Sequence, residues 1–279
     1  MSVIQVVALA IIQGFAELLP ISSSAHVVVA EKLMGLDPSA PALTLLLALL
    51  HTGTMFAVIA YFWKDWRRNY FSSSATCVRF GVLVVIATGL TGAIYELVAW
   101  ILERAILGST RHAEVEQLFS HLELIAPALF AVGVLIVASY LLERRIQKSR
   151  ELTVRQSVVI GLVQGLSLPF RGFSRSGATI SVGMLAGVEK AAAEAFSFAL
   201  AVVLTPPVVV REALRLRTQG APLTSAEMHS AVGLDVLGGV LAFGAGLLAL
   251  KWISAWLERG RWYYFGIYCM AAAIAVEWL

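Results

Sequence analysis

Charge is scarce in this chain. Asp, Glu, Lys and Arg make up 14% of its 279 residues, against about a quarter in an average soluble domain. So thin a supply cannot cover a water-exposed globule of this size. Cysteine is scarcer: Cys77 and Cys269 are the only two, both in or near apolar stretches, which excludes a disulfide scaffold and a cysteine metal set. The first apolar stretch has no basic residues before it and no clear cleavage site after it, which speaks against a removed signal peptide. The formal net charge of +3 is too small to indicate nucleic acid as a partner. What the chain has is apolar surface. It is 59% hydrophobic with a mean hydropathy of +0.81, the composition of a multi-pass membrane protein.

Six segments approach the roughly 20 apolar residues that a transmembrane helix requires: 41–63, 80–102, 124–142, about 192–210, 231–250 and 262–279. Two further apolar regions are interrupted. Residues 3–19 run into Pro20 and three serines, Ser22, Ser23 and Ser24, then resume over 25–35. Residues 156–168 run into Pro169, Arg171-Gly172 and Ser174-Arg175-Ser176-Gly177, then resume over 178–188. Each half is too short to span. Such pairs read as re-entrant helix–loop–helix elements, allowed only where protein or a water-filled cavity covers the loop. The expected fold is therefore an all-α integral membrane protein with six transmembrane helices and two re-entrant pairs.

The interrupted regions resemble each other. "IIQGFAELLPISSSAH" and "LVQGLSLPFRGFSRSGA" share two apolar residues, Gln-Gly, a proline and Ser-x-Ser before a small residue, about 150 residues apart. Paired interrupted segments in two halves point to a midplane site between inverted-topology repeats. The expectation is one membrane domain, 1–279, with internal repeats over approximately 1–142 and 153–279. Basic residues give its orientation. If the first spanning helix ends in the cytoplasm, thirteen lysines and arginines between Lys64 and Arg261 face inward. Lys32, Arg104, Arg111, Arg211, Arg215 and Arg217 face outward, an imbalance that fits the positive-inside rule. Both termini then lie outside, and the two re-entrant pairs enter from opposite faces.

Polar groups concentrate at the interruptions. Gln13 and Glu17 are four apart and share a helix face. Pro20 ends that half-helix. Ser22, Ser23 and Ser24 begin the next one, where serine caps and free N–H groups favour an anion. Any one of these serines can be a cap alone. His26, three residues past Ser23, is within reach as a base if that turn is helical, and a serine nucleophile needs one. Glu17 and His26 lie at membrane depth, where an ionisable group is a functional-site hypothesis by default. In the second region, Arg175 sits between Ser174 and Ser176, with Gly177 behind and Thr179 one turn on. Its planar fork suits phosphate oxygens, and Arg171 adds charge nearby. A plain Arg175–Glu17 ion pair is the structural alternative, a costly way to join two helices.

The inventory suits a phosphate or diphosphate ester with an apolar tail. Glu17 fits badly against a polyanion unless a divalent cation bridges them, as Mg²⁺ does between carboxylates and substrate phosphates. His51 in "LLHTGTM" either faces the site or packs against another helix. Glu96, Glu194 and Asp235 read as structural or interfacial. Trp63, Trp66, Trp262, Tyr263 and Tyr264 read as an interfacial belt.

These motifs carry a resemblance. "QGFAELLPISSSAH" resembles the (Glu/Gln)-Gly-x-x-Glu and Pro-x-Ser-Ser-x-x-His motif of the undecaprenyl-diphosphate phosphatases, the bacitracin-resistance proteins, and "GFSRSGATIS" resembles their second motif, Pro-Gly-x-Ser-Arg-Ser-Gly. The likeness extends over the chain in length, segment order and "EAFSFALAV". It implies a hydrolase of the bacterial inner membrane that removes the terminal phosphate of undecaprenyl diphosphate, recycling the carrier for peptidoglycan and other cell-wall glycans. It also implies a divalent cation, Mg²⁺ or Ca²⁺, bound with the diphosphate. The implied catalytic residues are Glu17, Ser23, His26 and Arg175; Glu17 either holds the cation as its metal ligand or orients His26. Supporting contacts fall on Gln13, Ser174, Ser176 and Thr179, and the local pattern of the two interruptions adds Ser22, Ser24, Arg171 and Gly177 as expected substrate contacts. The implied partners are a polyprenyl diphosphate and the bilayer, with a homodimer left open. Three departures stand out: Gln13 is the neutral option at its position, Ala25 replaces a common glycine, and Arg171 replaces the proline before Gly172. Ser23 is either nucleophile, with His26 as its base, or a contact for an attacking water. The rival reading is a polyprenyl-phosphate transporter using the same midplane site.

Overall fold

The structure, a computed structural model, describes residues 1–37, 40–102, 104, 122–218 and 225–278. Arg111 lies outside the described residues, as do the side chains of Arg215 and Arg217. Ten α-helices account for most of the described chain: α1 Val3–Leu18, α2 Ser23–Leu33, α3 Pro41–Asn69, α4 Ser74–Leu102, α5 Leu122–Leu142, α6 Val154–Ser167, α7 Arg175–Leu185, α8 Lys190–Thr218, α9 Ser225–Glu258 and α10 Tyr263–Glu277. Five of these carry stretches long and apolar enough to cross a membrane, in α3, α4, α5, α8 and α9. The sixth expected segment forms α10, with 15 residues, roughly 22 Å at 1.5 Å per residue.

The two interrupted regions fold into short helix pairs, α1–α2 and α6–α7, with parallel local chemistry. Each pair opens on a capping box, Ser2 with Gln5 and Thr153 with Gln156, which satisfies otherwise orphaned N–H groups. Each box glutamine also reaches the end of its partner helix. Gln5 Nε2 donates to the Met34 carbonyl at 3.5 Å and Gln156 Nε2 to the Ala186 carbonyl at 2.9 Å. Each second helix is followed by a glycine at positive φ, Gly35 at 64° and Gly187 at 84°.

Small residues let the helices meet. α1 lies along α9, α6 along α4, α5 along α10, and α3 packs against both α9 and α8. At the α3–α9 crossing a Cβ on Gly53 would run into the Gly239 carbonyl oxygen. At the α5–α10 crossing a Cβ on Gly133 would lie 2.7 Å from the Gly266 oxygen. Backbone-to-backbone approach of this kind supplies dispersion contact where lipid removes the hydrophobic drive between helices.

Part of the expected aromatic belt is interior instead. Trp63 and Tyr264 are exposed, but Trp66 and Trp262 are buried. Trp262 Nε1 donates to Ser139 and Ser181, each at 3.2 Å, and Trp66 Nε1 to the Ala195 carbonyl at 3.2 Å. Position near a segment end placed these rings, whereas a buried hydroxyl or carbonyl acceptor holds them inside. Glu96 is exposed, while Glu194 and Asp235 are buried.

Candidate active site

The tips of the two helix pairs meet at a cavity of about 680 Å³, walled also by α3, α4 and α8. Glu17, at the end of α1, is its centre. Its Oε1 accepts from Arg175 Nη2 at 2.9 Å. Its Oε2 accepts from Ser23 Oγ at 2.6 Å and from Gln13 Nε2 at 3.2 Å, with His51 Nε2 3.8 Å away. An arginine 158 positions along the chain thus meets this carboxylate.

Local backbone aims these groups. Pro20 stops α1, and Ser22 turns the chain at φ +67°, the one non-glycine positive φ among the described residues. That turn starts α2 at Ser23 and swings Ser23 back over Glu17. Ser22 Oγ pairs with Ser24 Oγ at 3.3 Å and makes no side-chain cap. On the other side Gly172 turns at φ +99°, where a Cβ would stand 2.5 Å from the Ile125 oxygen. Ser174 then caps α7, accepting from the Gly177 N–H at 3.2 Å, so Arg175 projects from a first helical turn. Ser174 and Ser176 hydroxyls lie 3.4 Å apart, the counterpart of the Ser22–Ser24 contact.

Most of the expected site residues converge. Gln13, Glu17, Ser22, Ser23, Ser24, Arg171, Ser174, Arg175 and Ser176 all line the cavity. Glu31 lines the same cavity as Arg171. Gly177 and Thr179 stand behind the wall. Thr179 Oγ1 donates to the Arg175 carbonyl at 2.8 Å and pairs with Ser197 Oγ at 2.6 Å, bracing the arginine's helix against α8.

His26 is not brought to Ser23. Its Nδ1 bonds the Ser22 carbonyl at 2.8 Å, and its Nε2 meets the Tyr268 hydroxyl at 2.6 Å, the two rings stacked at 5.7 Å. Spacing along α2 permits a Ser23 contact, but the α10 tyrosine holds the ring elsewhere. The histidine at the carboxylate is His51, its Nδ1 bonded to the Leu47 carbonyl at 2.8 Å. The sequence signal for it was a lone histidine in an apolar run.

The donor set does not fit a resident divalent ion. Both Glu17 oxygens already accept from donors, the neighbouring Gln13 is neutral, and no group of three or more His, Cys, Asp or Glu among the described residues could hold a metal.

The chain has known relatives. Residues 6–275 match the model of a family described as bacitracin resistance protein BacA. The chain belongs to that family. Among BacA relatives, it is 51% identical over 275 residues to undecaprenyl-diphosphatase 2 of Acinetobacter baylyi, covering 97% of this chain and 95% of that one. It is 31% identical to undecaprenyl-diphosphatase 1 of Shouchella clausii and 31% identical to an undecaprenyl-diphosphatase of Mycolicibacterium smegmatis, each match covering 99% of this chain and 96% of the relative.

Proposed function

We propose that this protein is a membrane-embedded undecaprenyl-diphosphate phosphatase, releasing inorganic phosphate and leaving the monophosphate carrier used for cell-wall glycans. The observation that carries the reading is the junction of Glu17, Ser23 and Arg175 in one cavity at the meeting point of two half-helix pairs. Membership in the BacA family and relatives named as undecaprenyl-diphosphatases support it.

In the proposed reaction the diphosphate enters between the first turns of α2 and α7, where free N–H groups favour an anion. Arg175 exchanges Glu17 for phosphate oxygens. Ser23 Oγ attacks the terminal phosphorus, its proton passing to Glu17 Oε2. The bond to the bridging oxygen breaks, and the lipid monophosphate leaves. Water then frees phosphate from Ser23. Such transfer depends mainly on positioning and charge stabilisation, which this inventory supplies. Gln13 orients Glu17, and Arg171 adds a second cation. A divalent ion, Mg²⁺ or Ca²⁺, belongs to the proposal only as one carried in with the diphosphate.

The same reading takes α1–α2 and α6–α7 as re-entrant pairs of an inverted repeat with six spans, α10 being the sixth. It is supported by their matching capping boxes, terminal glycines and serine pairs, and by the reciprocal packing of α1 on α9 and α6 on α4. The location is the bacterial inner membrane, with both termini outside.

The test is phosphate release by detergent-purified protein given polyprenyl diphosphate and Mg²⁺. Wild type should turn over, and Arg175→Ala should lose on the order of 10²-fold or more, the usual cost of removing one charge-stabilising donor. Lipid binding without phosphate release would overturn the reading in favour of transport.

A further inference from the structure

A second cavity, of about 500 Å³, opens at the other ends of α3, α4 and α8, near the last turn of α9. It is separate from the Glu17 cavity: α3 contributes Tyr61 to Asn69 here but Thr44 to His51 there. Buried apolar side chains including Val58, Ala87 and Phe198 belong to the core between them.

Its walls are aromatic and its floor is acidic. Tyr61, Phe62, Tyr70 and Phe80 line it, with Tyr70 and Phe80 stacked at 4.1 Å and Tyr61 and Phe62 edge-on at 5.0 Å. Glu194 reaches it although only 3% exposed. Its Oε1 accepts from Ser254 Oγ at 2.6 Å, and Asp65 and Glu258 line the same cavity. Around the mouth, Arg68 answers Asp65, Arg79 answers Glu151, and Arg150 answers Glu189. Neither Glu194 nor Glu258 has a cationic partner within ion-pair distance among the described residues. Burying a carboxylate without one is costly. Carboxylate floor and aromatic walls together are the surroundings an organic ammonium group favours.

We propose that this cavity binds the headgroup of an ethanolamine phospholipid. The primary ammonium lies beside the Tyr61 and Tyr70 rings and donates to Glu194, and the phosphate lies on the rim arginines. Each rim guanidinium is more than half exposed and has N–H donors beyond those its acidic partner takes. A quaternary ammonium has no N–H to give Glu194, and a glycerol headgroup has no cation. Ethanolamine is therefore selected over choline and glycerol. The lipid source follows from place: the cavity sits where α3 ends beside the exposed rings of Trp63 and Phe71.

The proposal is independent of the diphosphatase reading, and its test does not need activity. Full-length protein is purified in detergent micelles doped with phosphatidylethanolamine, phosphatidylcholine or phosphatidylglycerol of identical chains. Retained lipid is counted by native mass spectrometry. Ethanolamine lipid should be retained roughly tenfold better than the other two, in line with a hydrogen bond to a charged group. Glu194→Gln keeps an acceptor for Ser254 but removes the carboxyl group, and should abolish that preference. Its melting in lipid-free micelles and its phosphate release should not change. Equal retention of all three lipids, or a preference that survives Glu194→Gln, overturns the proposal. If Glu194→Gln does not fold, the exposed double variant Arg68→Gln/Arg150→Gln decides. Weakened ethanolamine-lipid retention supports the site, and unchanged retention overturns it.

Discussion

At the scale of single residues, Ser23 and the two histidines divide the chemistry. Ser23 Oγ lies 2.6 Å from Glu17 Oε2, a contact that lets the carboxylate take its proton. Ser23→Ala should therefore lower phosphate release by at least about 10²-fold if the phosphoryl group passes through serine. Substantial retained turnover would transfer the attack to water. His26 and His51 should behave differently. His26→Gln loses the bond to Tyr268 and should cost melting temperature while keeping most of the turnover. His51→Gln removes the ring beside Glu17 and should lower kcat with little change in melting. The opposite pattern would restore His26 as the base. Gln13, Glu17, Ser23 and Arg175 were legible in the sequence because polar groups at membrane depth are costly and stand out against apolar neighbours. The orientation of His26 was not legible. It is decided by Tyr268, 242 residues away, and spacing along one helix carries no information about a partner on another.

At the scale of elements, the two short helix pairs were readable because proline and clustered serines punctuate the chain locally. The crossings were not, since 22 glycines give no sign of which ones touch. Gly53 is the sharpest case. A Cβ there meets the backbone carbonyl of Gly239, and a carbonyl held in the α9 ladder cannot rotate away as a side chain would. Gly53→Ala must push α3 from α9, against which α1, the helix that carries Glu17, also packs. Overpacking of this kind costs about 1–3 kcal/mol. The expected outcome is a melting temperature in detergent lowered by several degrees together with reduced phosphate release. Gly81→Ala, where nothing lies within 4 Å of the new Cβ, is the control and should leave both unchanged. Equal effects at the two positions would refute the close crossing as a stabilising contact.

At the scale of the whole molecule, orientation decides from which face the diphosphate reaches its site. The Glu17 cavity takes its walls from the start of α3 and the later turns of α4 and α8. Cys77 lies at the opposite end, in the first turn of α4 beside the basic residues Arg67, Arg68 and Arg79. If positive charge marks the cytoplasm, Cys77 faces inward and the mouth of the Glu17 cavity faces outward. The chain carries its own probe. Cys77 is exposed and Cys269 is buried, so an impermeant maleimide reports on Cys77 alone. In intact spheroplasts the wild-type protein should stay unlabelled and become labelled only after permeabilisation. Trp278 is 86% exposed near the C-terminus, and Trp278→Cys should be labelled from outside without permeabilisation. Labelling of wild type from outside, with Trp278→Cys adding label only on permeabilisation, would invert the molecule. The diphosphate would then enter from the cytoplasm, although every contact at Glu17 would be unchanged. Local chemistry thus fixes what the cavity can hold, and the distribution of charge over the loops fixes which compartment supplies it.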